Sequence, residues 1–212
     1  ALLEGSYVDS FYEGTLDKFK EEHPELFKQD GELKANFIKA EKAIARSLRD
    51  PLFQEYMSGE KQVIMTGELF GSKWKIKMDS YHPGRAIVDL KYMQSLTKFG
   101  YVPDIGYLDF VRYWGYDLQG AIYQEIVYQN TGKRLPFYIA GISKEEAMNI
   151  EVIYIHDNYL KEAMKVIESR MPRILQVKYH GAKPDRCEQC IWCRDTKVLT
   201  KPIGIGDLTA SL

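Results

Sequence analysis

The chain opens with apolar positions that recur at helical spacing. In 1–14, Leu2, Leu3, Tyr7 and Phe11 share one side, which predicts a short helix. Residues 15–34 are charged and interrupted by Pro24 and Gly31, and they read as a loop or a mobile excursion. Residues 35–49 predict an amphipathic helix. Phe37, Ala40, Ile44 and Leu48 form its stripe, widened by Ile38 and Ala45. Asp50-Pro51 predicts the start of a second short helix over 51–58, because proline suits a first helical turn.

After Gly59 the period falls to two. Residues 61–70 and 72–80 predict strands; in the second, Trp74, Ile76 and Met78 face one way, and Lys73, Lys75, Lys77 and Asp79 the other. His82-Pro83-Gly84 supplies a turn into a third strand, 85–92, which makes an antiparallel meander. Residues 93–106 read as a loop, and 107–130 as a long helix ended by Thr131-Gly132. Two further strands are predicted over 136–141 and 150–155. A final helix covers 157–175, bent or ended at Pro172, and 176–212 reads as an irregular tail. The order predicts an α/β fold with a central mixed β-sheet, the three-strand meander plus two more strands, flanked by helices. Residues 1–212 are expected to form a single domain, with a helical N-terminal segment over 1–58 and the tail 176–212.

Composition refines this picture. A hydrophobic content of 45% sustains a core, and the 15 tyrosines need hydroxyl partners, which places many at core edges or along a groove. The net charge of −1 carries no global sign of a polyanionic partner. Locally, 1–34 holds nine acids against four bases, and 173–201 holds seven bases against three acids. A basic end can serve as a polyanion footprint or simply as a solvated surface. No apolar run is long enough to span a bilayer and no secretory leader pattern is present, so no membrane partner is expected. A chain that enters a helix at an alanine predicts residues upstream. The three cysteines all lie in 187–193 and cannot pair off, which predicts a reducing cytoplasm.

The candidate chemistry sits on the predicted strands. Side chains at i and i+2 share a face, so Asp89 and Lys91 project together while Val88 and Leu90 enter the core. If the apolar faces of both strands share one core, Asp79 joins them. Two neighbouring carboxylates repel unless a hard cation such as Mg²⁺ (or Mn²⁺) neutralises them, with the Leu90 backbone carbonyl as a third ligand. Such an ion can polarise a phosphoryl oxygen and acidify a bound water, while Lys91 orients or deprotonates that water and offsets charge on the phosphate. Lys75 and Lys77 on the same face could contact a phosphate backbone. An exposed polar strand face would look much the same.

This set, with the helix–meander–helix–strand order around it, resembles the PD-(D/E)XK nuclease superfamily, its motif reading Asp89-Leu90-Lys91. The long helix carries Gln119 and Tyr123 at i, i+4. That pair resembles a Q-x-x-x-Y element of RecB-like and lambda-exonuclease-like nucleases, which implies a glutamine near the metal or scissile phosphate. RecB-like first helices carry G-x-x-x-H; here Gly5 is followed by Asp9, an acid that can also ligate Mg²⁺, with Glu4 and Glu13 as alternatives. The resemblance runs further, to the phage-type exonuclease VIII (RecE) group, from GSYVDSFYEGT through VDLKY and DLQGAIYQ to RCEQCIWCR. It implies a bacterial or prophage-encoded 5′→3′ exonuclease acting on linear double-stranded DNA ends, a single-strand annealing protein as partner, and a ring-shaped homo-oligomer. A restriction or junction-resolving endonuclease and an inactive DNA-binding relative are the competing readings.

Cys187, Cys190 and Cys193 form a dense run of thiols, and soft thiolates select zinc or an iron–sulfur cluster. His180 could complete a Cys₃His zinc site. The resemblance to RecB-like nucleases implies a [4Fe–4S] alternative, with a fourth cysteine upstream of the first helix. Three reduced thiols in a tail are the plain alternative.

Overall fold

A computed structural model describes residues 2–102, 105–188 and 190–206. The chain divides into two compact units, Ala1–Ser169 and Arg170–Leu212. The first begins with α1 (Leu2–Glu13), α2 (Leu16–Glu22), a 3-10 turn (Pro24–Leu26), α3 (Ala35–Leu48) and α4 (Pro51–Tyr56). Strands β1 (Val63–Leu69), β2 (Ser72–Met78), β3 (Ser80–His82), β4 (Ala86–Met93), β5 (Gly100–Val102) and β6 (Gly106–Leu108) follow. Then come α5 (Phe110–Tyr113), α6 (Tyr116–Thr131), β7 (Phe137–Ser143), β8 (Ile150–Ile155) and α7 (Asp157–Tyr179). The second unit contains the residues of α7 from Arg170 onward and α8 (Ile191–Asp195).

The central sheet has strand order β3-β4-β7-β8. β3–β4 and β7–β8 are antiparallel and β4–β7 is parallel, so the sheet is mixed and helix-flanked, in agreement with the expected fold class. The parallel pair requires a long crossover, and α5 and α6 lie within it. On one face Ala86, Val88 and Leu90 of β4 and Ala140 and Ile142 of β7 pack with Tyr7, Val8, Phe37, Ile44 and Phe53 of the N-terminal helices. Each large side chain buried there contributes about 1.5–3 kcal/mol. The alternate residues, Ile87, Asp89 and Lys91 of β4, point to the other face, where α6 packs. At Gly120, α6 approaches β7 so closely that a Cβ would lie 2.7 Å from Phe137.

The β1–β2 hairpin is a separate two-stranded ladder, so the predicted three-strand meander is interrupted. Pairing along the second strand stops at Asp79 and resumes at Ser80 against β4. The hairpin is tied to α6 by amide side chains. Gln129 Oε1 accepts from the Glu68 backbone N–H at 3.1 Å, and its Nε2 donates to the Glu68 carbonyl at 3.0 Å. Asn130 Nδ2 donates to the Thr66 carbonyl at 2.9 Å. Gly67 makes room for this, since a Cβ there would overlap the Gln129 amide.

Several local expectations are corrected. Within 15–34, Leu16–Glu22 and Pro24–Leu26 are not loop but α2 and the 3-10 turn, because Leu16, Phe19 and Leu26 pack on the core beneath the charged exterior, while 27–34 is the expected loop. The α3 stripe turns toward Ala43 and Ser47; Ile38 and Ala45 stand exposed. The loop 93–106 contains β5, whose partner β6 takes the place of the expected helix start at 107. The long helix is divided by Gly115, which adopts φ 70 between α5 and α6. The last helix runs through Pro172 to Tyr179, since proline removes only one intrahelical donor there and good helix formers flank it. The tail 176–212 includes the end of that helix and all of α8. No helix among the described residues is long and apolar enough to cross a membrane.

Candidate active site

The site begins with the register of β3 against β4. Ser80 pairs with Val88, so one more step sets Asp79 opposite Asp89 on the same face. At that step the backbone ladder ends and a side chain replaces it: Asp79 Oδ2 accepts the Leu90 N–H at 2.8 Å. The carbonyl of a strand residue points to the same side as its N–H, which places Leu90 O on this open edge. The shared-core premise is met in a different way. Val88 and Leu90 belong to the core under the N-terminal helices, and the break at Asp79, rather than a common core with Ile76 and Met78, aims the carboxylate.

Asp89 is buried at 3% exposure and held from two sides. Gln119 Nε2 of α6 donates to its Oδ1 at 2.5 Å. Lys91 Nζ lies 2.5 Å from Oδ2 as an ion pair. The Lys91 ammonium also sits 4.8 Å from the centre of the Tyr116 ring. Burial works against its charge, but the charges of Asp89 and Asp79 outweigh burial and hold its pKa above the usual lysine value.

Asp9 of α1 reaches the same patch. Burial, then the Asp79 charge, push its carboxyl up to about 7. Burial, then the Asp89 charge, push Asp79 up to about 6. Like charges crowded at a half-buried site make each ionisation harder, so the patch calls for a counter-charge beyond Lys91. Three carboxylates and a carbonyl edge are hard oxygen donors, and they fit a divalent cation such as Mg²⁺ or Mn²⁺.

The other candidates are placed as follows. Tyr123 stacks edge-on against Phe137, and its hydroxyl donates to the Lys77 carbonyl at 3.0 Å, which ties α6 to β2. Lys77 is exposed, with its ammonium 3.8 Å from Glu13. Lys75 is exposed on β2 opposite Thr66. Glu4 pairs with Lys144 at 2.6 Å. Two neighbours escaped the sequence reading. Tyr116 begins α6 only because Gly115 breaks the helix, and Lys61 donates to the Met57 carbonyl beside Asp79. Burial lowers the Lys61 pKa while Asp79 opposes the shift. A cleft of about 770 Å³ opens on Asp9 and Lys91.

In the second unit the sulfurs of Cys187, Cys190 and Cys193 lie within 4.8 Å of one another. The Cys190 N–H donates to Cys187 Sγ at 3.3 Å and the Cys193 N–H to Cys190 Sγ at 3.4 Å. His180 lies outside this group, contrary to the Cys₃His expectation, since α7 carries the chain to Tyr179 and leaves His180 at its end.

The chain has a near relative among solved structures. A crystal structure named "putative exonuclease" from Eubacterium rectale is 65% identical, with a TM-score of 0.93 over 100% of this chain and 80% of the other. No curated protein matches. Residues 1–196 match the family described as "PDDEXK-like domain of unknown function (DUF3799)". The interrupted strand, the Asp-Leu-Lys motif on its partner and the glutamine-bearing helix thus lie within a recognised family, and the chain belongs to these PDDEXK-like domains of the PD-(D/E)XK superfamily.

Proposed function

We propose that this protein is a divalent-metal-dependent exonuclease that hydrolyses linear double-stranded DNA from its ends, as a single nuclease domain. The observation that carries the reading is the convergence of Asp79, Asp89 and Lys91 from two paired strands, with Gln119 and Asp9 added from two helices. The name of the 65% identical relative supports it. Asp79, Asp89, the Leu90 carbonyl and Asp9 would hold Mg²⁺ or Mn²⁺, which supplies Lewis-acid polarisation of the phosphoryl group. Lys91, fixed by Asp89 and the Tyr116 ring, faces the cleft and offsets charge growing on the phosphate. Gln119 locks the Asp89 carboxylate, and Lys75 and Lys77 offer cations to the backbone.

The finer assignment, to the exonuclease VIII and lambda-exonuclease-like group, rests on sequence resemblance. It brings with it 5′→3′ polarity, a ring-shaped oligomer, a bacterial or prophage setting and a single-strand annealing partner. The thiol cluster is proposed to hold zinc or an iron–sulfur centre, and metal analysis with an absorption spectrum of the purified protein distinguishes them.

The test is digestion of end-labelled linear duplex and covalently closed circular duplex in Mg²⁺. Loss of the linear DNA with an intact circle is expected. Nicking of the circle would establish an endonuclease instead. Asp89→Ala and Lys91→Ala should each lower the rate at least ~100-fold, the scale of removing a group that stabilises developing charge, while DNA binding persists. An unchanged rate in either variant would show the site to be misassigned.

A further inference from the structure

The cleft beside the acidic patch has a partly aromatic wall. Phe99, Tyr113 and Trp114 line it and remain 65%, 42% and 60% exposed. Short elements set these rings in place. Asp109 caps α5 by accepting the Arg112 N–H at 3.1 Å, and Tyr113 and Trp114 leave its last turn. Tyr113 lies so close to Gly100 of β5 that a Cβ there would overlap its ring. Tyr113 and Trp114 meet edge to face with centroids 5.2 Å apart. Large apolar surface left in water is unfavourable, and several such rings in one cleft mark a binding surface.

The occupant follows from chemistry. Aromatic faces stack on nucleobases, and this cleft is continuous with Asp9 and Lys91. Inside a duplex the faces of each base are covered by its neighbours, and a blunt end offers only the outer face of its last pair, so a wall of three rings is matched by successive unpaired bases. We infer that Phe99, Tyr113 and Trp114 form a stacking platform for unpaired bases of the strand to be cut, with Lys98 available to its phosphates. The cleft therefore admits single-stranded DNA, and a duplex end must fray to enter. The inference rests on the nuclease reading and adds the form in which the substrate reaches the site.

The full chain in EDTA is titrated into a fluorescein-labelled oligothymidylate and, separately, a blunt hairpin duplex, with anisotropy as the readout. The wild type is expected to prefer the single strand, with quenching of its tryptophan fluorescence. Trp114→Ala should weaken single-strand binding about ten-fold, while Trp114→Phe, which keeps a flat face, retains most of it. Phe99→Ala provides a second, independently folded variant, and circular dichroism checks each fold. Wild-type affinity in both alanine variants, or a wild-type preference for the blunt duplex, would overturn the platform. Cleavage is read separately in Mg²⁺. A wild type that binds but never cuts would strike the nuclease reading alone, whereas one that cuts while Trp114→Ala and Phe99→Ala both bind normally would strike the platform alone.

Discussion

Asp79 occupies the break between two ladders, and its carboxylate does two things there. It stands in for a backbone acceptor to the Leu90 N–H, and it adds a negative charge next to Asp89. Asp79→Asn keeps the acceptor and removes the charge. The folded-state value of about 6 lies above the ordinary 3.8, so the folded protein holds the extra proton and loses stability as pH rises between those values. In metal-free buffer at pH 8 the variant should melt about 6–12 °C higher, with the advantage shrinking to nothing below roughly pH 4. A scanning-calorimetry series over pH measures this; a flat difference would mean that the carboxylate is not crowded. Asp89 and Lys91 were legible in the sequence because i, i+2 alternation on a strand is a short-range rule. Tyr116 and Lys61 were not, since a ring under an ammonium and an amine beside Asp79 arise from tertiary approach, which no local spacing encodes.

At the scale of elements, the long periodic segments could be read directly: α3, the β1–β2 hairpin, β4, β7 and β8 fall within a few residues of their expected bounds. Short pieces could not. β5 and β6 have three residues each, too few to display a period, and α2 hid beneath charged residues because its contribution to the core is only Leu16 and Phe19. The break at Asp79 was also invisible, since alternation continues up to Met78 and the change of partner is a property of the sheet. The packing of α6 on β7 gives a prediction at this scale. Gly120→Ala gains helix propensity of about 1 kcal/mol but drives a methyl against the Phe137 ring and Leu160. A net loss of about 1–2 kcal/mol in urea unfolding is expected, together with weaker activity, because the same helix carries Gln119 to Asp89. A variant as stable as the wild type would show that the helix can lift away without cost.

For the whole molecule, the proposed ring makes a direct claim on association. Light scattering coupled to gel filtration should return a multiple of the chain mass, and a monomer at every concentration would remove the ring from the proposal. The hairpin bears on what kind of association is tolerable. Its outer strand would otherwise present a free rim of amides and carbonyls, the kind of surface onto which a second chain can zip. Gln129 meets Glu68 with both ends of its amide, as the next strand's peptide group would. With Asn130 on the Thr66 carbonyl, two helical amides thus counterfeit part of a neighbouring strand and block strand addition along that stretch of β1.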